Sequence, residues 1–246
     1  MPQLQDAQDV NRIDEIMEQA SLALSQTKAI DAEFLCLRAL ELAVKESDWD
    51  RAARIALPLQ ESRRLRRQNA TDTGTVRLVD TQAQTRIKPE TGCYLFQPPL
   101  IAAEARSYRA SWLRRGVQLF VLTREPMTQA GLWPVAAVGA LSIRTKVAPP
   151  PGVKAKEGCV TRDEITQAIP TSWFESAAEA LGDAAIASID PEEPAAHRVL
   201  DLIDRLDAFP EHEKLHQALE RACQEALVEP APKFERRRGH DDPYSF

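Results

Sequence analysis

The sequence predicts a mixed α+β chain: an N-terminal helical hairpin layer, a small central sheet containing a βαβ unit, and C-terminal helices. Two patterns lead there. Apolar residues recur at helical spacing through residues 12–68 and again through 171–228. Between them, short β-type runs flank a single helical stretch at residues 93–122. Composition agrees, since 9 Gly against 17 Pro with abundant Ala and Leu favours helix over a β-sandwich.

In the first segment, residues 1–69, Ile13, Ile16, Met17, Ala20 and Leu24 form one apolar stripe. The second helix, from Asp31 to Lys45, is apolar nearly all round and is expected to be covered on two sides. The third starts near Asp48 and carries Ala52, Ala53, Ile55, Ala56 and Leu59, with Pro58 expected to kink it. The run Arg63-Arg64-Leu65-Arg66-Arg67 closes this helix; there it complements the dipole, or else holds phosphates.

Residues 70–148 read as a small α/β unit. Thr75–Asp80 and Cys93–Phe96 are candidate strands, and Leu100–Arg115 is a helix with Gly116 at its C′ position. Val117–Leu122 follows as a buried strand, which predicts parallel pairing and a right-handed crossover. Residues 133–147 are one bulged strand or two short ones broken at Gly139. Residues 149–170 read as a Pro/Gly/Lys-rich connector. In residues 171–228, Ser172 and Glu175 predict a capping box, Asp190–Glu193 opens a second helix, and Pro210 opens a third. Residues 229–246, with Arg236-Arg237-Arg238, read as a disordered tail.

Ser47-Asp48-Trp49-Asp50-Arg51-Ala52-Ala53 sits at a turn between two helices, with Ala52 and Ala56 where paired helices cross closely. On these residues the stretch 32–56 resembles a tetratricopeptide-type helical hairpin. The resemblance implies stacked helices that present a surface to a protein partner.

Several functions lack their motifs. There is no G-x-x-x-x-G-K-[ST], no G-x-G-x-x-G after a strand and no G-x-S-x-G, so nothing supports ATPase, dinucleotide or serine-hydrolase chemistry. No apolar run approaches a membrane span, and Met1–Ala20 has no apolar signal core. Four separated cysteines without a C-x-x-C pair fit reduced thiols in the cytoplasm. Residues 71–157 hold 12 basic and 6 acidic side chains, and residues 158–246 hold 9 and 19. That middle excess is too small for a nucleic-acid module, so nucleic acid is not an expected partner.

Two sites remain. His212-Glu213-Lys214-Leu215-His216 spells H-E-x-x-H and resembles the zinc metallopeptidase signature. The resemblance implies zinc on His212 and His216, with Glu213 as general base for a metal-bound water. The extended signature would need Gly and a third His where Leu219 and Ala222 stand, leaving Asp204 or Asp207 as third ligand. Otherwise the two histidines pack in the interior, and the acids Glu211 and Glu213 suit a first helical turn. The other site is positional: ligands of open parallel sheets bind beyond the carboxyl ends of the strands. Gln97, Arg124 and Glu125 stand there and could bind a small anionic ligand.

The leading expectation is a soluble, cytoplasmic, non-enzymatic interaction or scaffold protein acting through its helical N-terminus, with no cofactor. A zinc hydrolase and an anion binder are the alternatives.

Overall fold

A computed structural model describes residues 2–156 and 159–232; for residues 2–11, 154–156, 159–162 and 164 it describes the backbone only. The fold is α+β, with helices at both ends of the chain and a five-stranded mixed sheet between them. It divides into two compact units of interleaved segments. One combines Met1–Leu65, Ile189–Ile203 and Glu213–Phe246; the other combines Arg66–Ser188 and Asp204–His212. No helix among the described residues is long and apolar enough to cross a membrane.

The first unit begins with α1 (Pro2–Ser25), α2 (Ala29–Lys45) and the start of α3 (Trp49–Thr71). The expected stripe of α1 is buried at Ile13, Ile16 and Ala20, and Ala23 extends it. The two turns joining these helices are built alike. Thr27 and Ser47 are both left-handed, with φ of 58° and 56°. Lys28 N donates to Ala23 O (2.9 Å), and Asp48 N donates to Ala43 O (2.8 Å). Each residue of the second turn stands twenty positions after its counterpart, so one chain geometry is used twice in succession. Asp48 then starts α3 by accepting from Arg51 N (3.0 Å).

The two-sided covering expected for α2 does not occur. Its buried residues, Ala29, Ala32, Glu33, Cys36, Ala39, Leu40 and Ala43, form one stripe. Phe34 and Leu37 remain 42% and 37% exposed. Alanines at the crossing positions let one face carry the packing, so the bulky residues are left outside. The α3 helix continues through Pro58 to Thr71, which puts the arginine run in mid-helix instead of at the end. The dipole therefore does not explain that run. Each arginine has a carboxylate instead: Arg63 with Glu33 (2.8 Å), Arg64 with Glu61 (2.7 Å), Arg66 with Glu211 (3.6 Å) and Arg67 with Glu179 (3.4 Å).

The second unit holds the sheet, in the order β1 (Val76–Val79), β2 (Gly92–Phe96), β3 (Leu119–Arg124), β4 (Trp133–Val138), β5 (Ser142–Val147). The first three strands are parallel and the last two antiparallel. A four-residue helix α4 (Gln82–Thr85) follows β1, closed by a capping box between Thr81 and Gln84. α5 (Ala102–Leu113) connects β2 to β3 as the sequence predicts. It covers one sheet face, where Ala105 and Tyr108 cluster with Tyr94, Phe96, Leu119 and Val121. On the other face Phe120 meets Phe174 edge-on, with ring centres 5.0 Å apart, and Phe209 at 6.4 Å. Burial on both faces is why β2 and β3 read as unbroken apolar runs.

Residues 149–170 carry more structure than a connector. They contain an antiparallel pair, β6 (Val153–Lys156) and β7 (Cys159–Ile165). The C-terminal helices are α6 (Thr171–Ala187), α7 (Ala195–Ala208) and α8 (Glu213–Val228). Pro170, not Ser172, is the N-cap of α6, and no side chain caps it. Asp190–Glu193 precedes α7 without joining it, and α8 starts three residues after Pro210. The expected disordered tail lies, from residue 233 onward, outside the described residues.

Candidate functional site

His212 and His216 are both buried, each 1% exposed. Because α8 begins at Glu213, His212 lies outside the helix, and the two imidazoles do not project from one helical face. His216 stays in the helix and faces α3, its Nε2 3.2 Å from Arg63 Nη1. Arg63 in turn holds Glu33 through Nε at 2.8 Å, a buried Glu–Arg–His series inside the first unit. The guanidinium of Arg63 thus lies beside that ring. Glu213 occupies the first turn of α8, where an acid suits the helix dipole. Its neighbour Glu211 lies before α8, fully buried and paired with Arg66 (3.6 Å) and Arg109 (3.4 Å).

His212 has different company. Its Nε2 is 3.2 Å from Glu179 Oε2 and 3.5 Å from Asp183 Oδ1. Glu179 and Asp183 stand one turn apart on α6, so both carboxylates leave the same side of that helix. Gly182 lies between them, and a Cβ there would come within 2.1 Å of His212 Cγ. The ring thus lies directly against the helix backbone, and Phe209 stacks beside it with centres 6.4 Å apart. Donor atoms of Glu179, Asp183 and His212 all lie within 4.8 Å of one another. Asp204 and Asp207, the acids expected from sequence, are not in this group; Asp207 pairs with Arg106 at 2.8 Å. Glu179 and Asp183 were missed because no short motif links them to His212. The one available signal was a glycine between acids four apart in an otherwise alanine-rich helix.

At the carboxyl ends of the parallel strands, the register aligns Val79 with Phe96, and Phe96 with Thr123. The next residues, Asp80, Gln97 and Arg124, therefore form a polar row across β1, β2 and β3. Arg124 Nη2 donates to Gln97 Oε1 (2.7 Å), and Gln97 Nε2 donates to Asp80 Oδ2 (3.4 Å). Two of the three residues selected from sequence are thus in direct contact. Glu125 is not with them, since it pairs with Arg144 at 2.8 Å. Sequence reasoning also missed Asp163 of β7, which grips Arg124 with both carboxylate oxygens at 3.0 and 2.9 Å. The indole of Trp133 lies 4.3 Å beneath the guanidinium and donates to the same carboxylate. Burial lowers the pKa of Arg124, and the adjacent Asp163 carboxylate opposes that shift.

The first unit contains a cavity of about 570 Å³ at the α2–α3 turn. Its walls include Val44, Lys45 and Trp49 from that turn, His197 and Leu200 from α7, and Pro230 after α8.

Compared with protein-family models, curated proteins and solved structures, the chain matches none.

Proposed function

We propose that this is a non-enzymatic cytosolic interaction protein whose helical N-terminal unit docks a short peptide segment of a protein partner. The observation that carries this reading is the 570 Å³ cavity at the α2–α3 turn. Its size suits a few side chains, and its walls combine apolar surface (Val44, Trp49, Leu200) with a cation, Lys45, at the rim and a carboxylate, Glu229, that is already paired with Arg198 at 3.6 Å. The occupant is a segment with an apolar or aromatic anchor followed by an acidic group. Trp49 is half-buried and already ordered, so contact with it costs little side-chain entropy. The paired turns and the exposed Phe34 and Leu37 extend the surface along α2.

Selection of displayed random peptides on the full chain, followed by titration of the synthetic winners, tests this reading. Selected peptides should carry the anchor-plus-acid pattern, and Trp49→Ala should weaken them at least tenfold, about 1.4 kcal/mol. The Arg124→Lys variant, altered in the other unit, should bind them normally. Failure to select peptides, or binding indifferent to Trp49→Ala, would overturn it.

The Asp80–Gln97–Arg124 row supports a second reading, a site for a small carboxylate or phosphate. In that reading Asp163 occupies the ligand's position, and Asp163→Asn should increase the thermal stabilisation given by phosphate. An unchanged shift would exclude it.

A further inference from the structure

We infer that Glu179, Asp183 and His212 form a binding site for a divalent transition-metal ion of the zinc type. The donor set is mixed, one imidazole nitrogen and two carboxylate oxygens, which suits zinc better than calcium or magnesium. Spacing agrees. A tetrahedral ion with bonds of about 2.0–2.2 Å separates neighbouring donors by about 3.3–3.6 Å. The His212 nitrogen stands 3.2 Å from Glu179 Oε2 and 3.5 Å from Asp183 Oδ1.

The imidazole distinguishes this group from two acids one turn apart. It is buried and held by structure that serves its orientation. A side chain at Gly182 would displace the ring, and glycine at this helix-interior position costs about 1 kcal/mol relative to alanine. Phe209 stacks on the same ring. The carboxylates, in contrast, are 43% and 53% exposed, so an ion can enter from solvent and keep water in the remaining position. Glu179 Oε1 is 3.4 Å from Arg67 Nη1, which turns the opposite oxygen, Oε2, toward the imidazole. An outer partner that orients a ligand in this way is a usual part of metal sites. Buried thiols do not compete: burial pushes Cys36, Cys93 and Cys223 up to about 12, so they stay protonated at neutral pH.

The test uses the full chain, stripped with a chelator and titrated with Zn²⁺ by calorimetry and with Co²⁺ by visible absorption. One equivalent of Zn²⁺ should bind, and Co²⁺ should give a tetrahedral spectrum without thiolate charge-transfer bands. Asp183→Asn, at an exposed position, should keep the fold by circular dichroism and weaken Zn²⁺ more than tenfold. Gly182→Ala should weaken it similarly although it alters no ligand, and that loss separates a built site from loose surface binding. His197→Gln serves as control, because His197 also faces a carboxylate one turn away (Glu193, 3.1 Å) and should be silent. The inference is overturned if Zn²⁺ binds no tighter than background. It is equally overturned if a folded Asp183→Asn protein retains full affinity, or if His216→Gln removes the metal while Asp183→Asn does not.

Discussion

Cys36, Cys93 and Cys223 are buried, and burial raises each thiol to about 12 from an unfolded value near 9. A folded value above the unfolded one favours the protonated form. Its contribution is therefore complete below pH 9 and lost as pH rises toward 12. Each thiol costs at most about 1.4 kcal/mol per pH unit in that window, and Tyr108, also raised to about 12 by burial, adds its share above pH 10. Urea melts between pH 8 and 11 should show stability falling steeply above pH 9; a flat profile would contradict the burial of these thiols. A second residue-scale test concerns Arg63 and Glu33, whose side chains are 5% and 3% exposed. Arg63→Met should cost about 3–5 kcal/mol by leaving Glu33 without its guanidinium, and adding Glu33→Leu should recover most of it. Equal melting temperatures of single and double variants would count against a coupled pair. At this scale the sequence revealed position better than partnership. Gln97 and Arg124 follow from the rule that strand ends hold ligands, because local register is enough to find them. Asp163, Glu179 and Glu33 do not, because each meets its partner across tens of residues and no spacing rule spans that distance.

Elements with a full local signature were legible. The βαβ unit is the clearest, since two apolar runs and one striped helix fit about thirty residues and leave little other choice of topology. Its consequence is testable at Val121, which faces α5 with Tyr94 and Phe96. Val121→Asp places a charge between sheet and helix, with an expected loss of several kcal/mol and little soluble protein. Soluble expression with a near-native melt would refute that position. Other elements hid behind composition. The β6–β7 pair lies in a stretch whose prolines, glycines and lysines usually mark loops, and its pairing is fixed by the partner strand, not by apolar alternation. For α2 the apolar content overstated burial, because small alanines carry the contact while Phe34 and Leu37 stay outside. Helix starts erred for a related reason. Ser172 and Pro210 are good local start signals, yet α6 begins at Thr171 and α8 only at Glu213. Between Pro210 and α8, His212 is instead drawn against Gly182.

Whole-molecule organisation departs most from a reading made along the chain, because the compact units are not consecutive. The sequence suggested successive segments divided near residues 69, 148 and 170. The observed units instead interleave, each taking part of the C-terminal helices, with boundaries inside α3 and α7. Composition shifts cannot reveal such a division, since one helix can serve both units without changing its pattern. The consequence concerns truncation. Residues 1–188 contain the whole sheet and all three N-terminal helices, so a sequential reading would expect two intact pieces. They lack Ile189–Ile203 and Glu213–Phe246 from the first unit, and Asp204–His212 from the second. Phe120 would lose Phe209, and His216 would no longer stand against Arg63. Both units would then expose apolar surface, so the 1–188 fragment should aggregate or melt without cooperativity. Thermal melts and size-exclusion profiles of the 1–188 fragment and the full chain measure this directly. A monomeric 1–188 fragment with one sharp transition would mean that the sheet unit completes its core without Asp204–His212, and the interleaved organisation would be refuted.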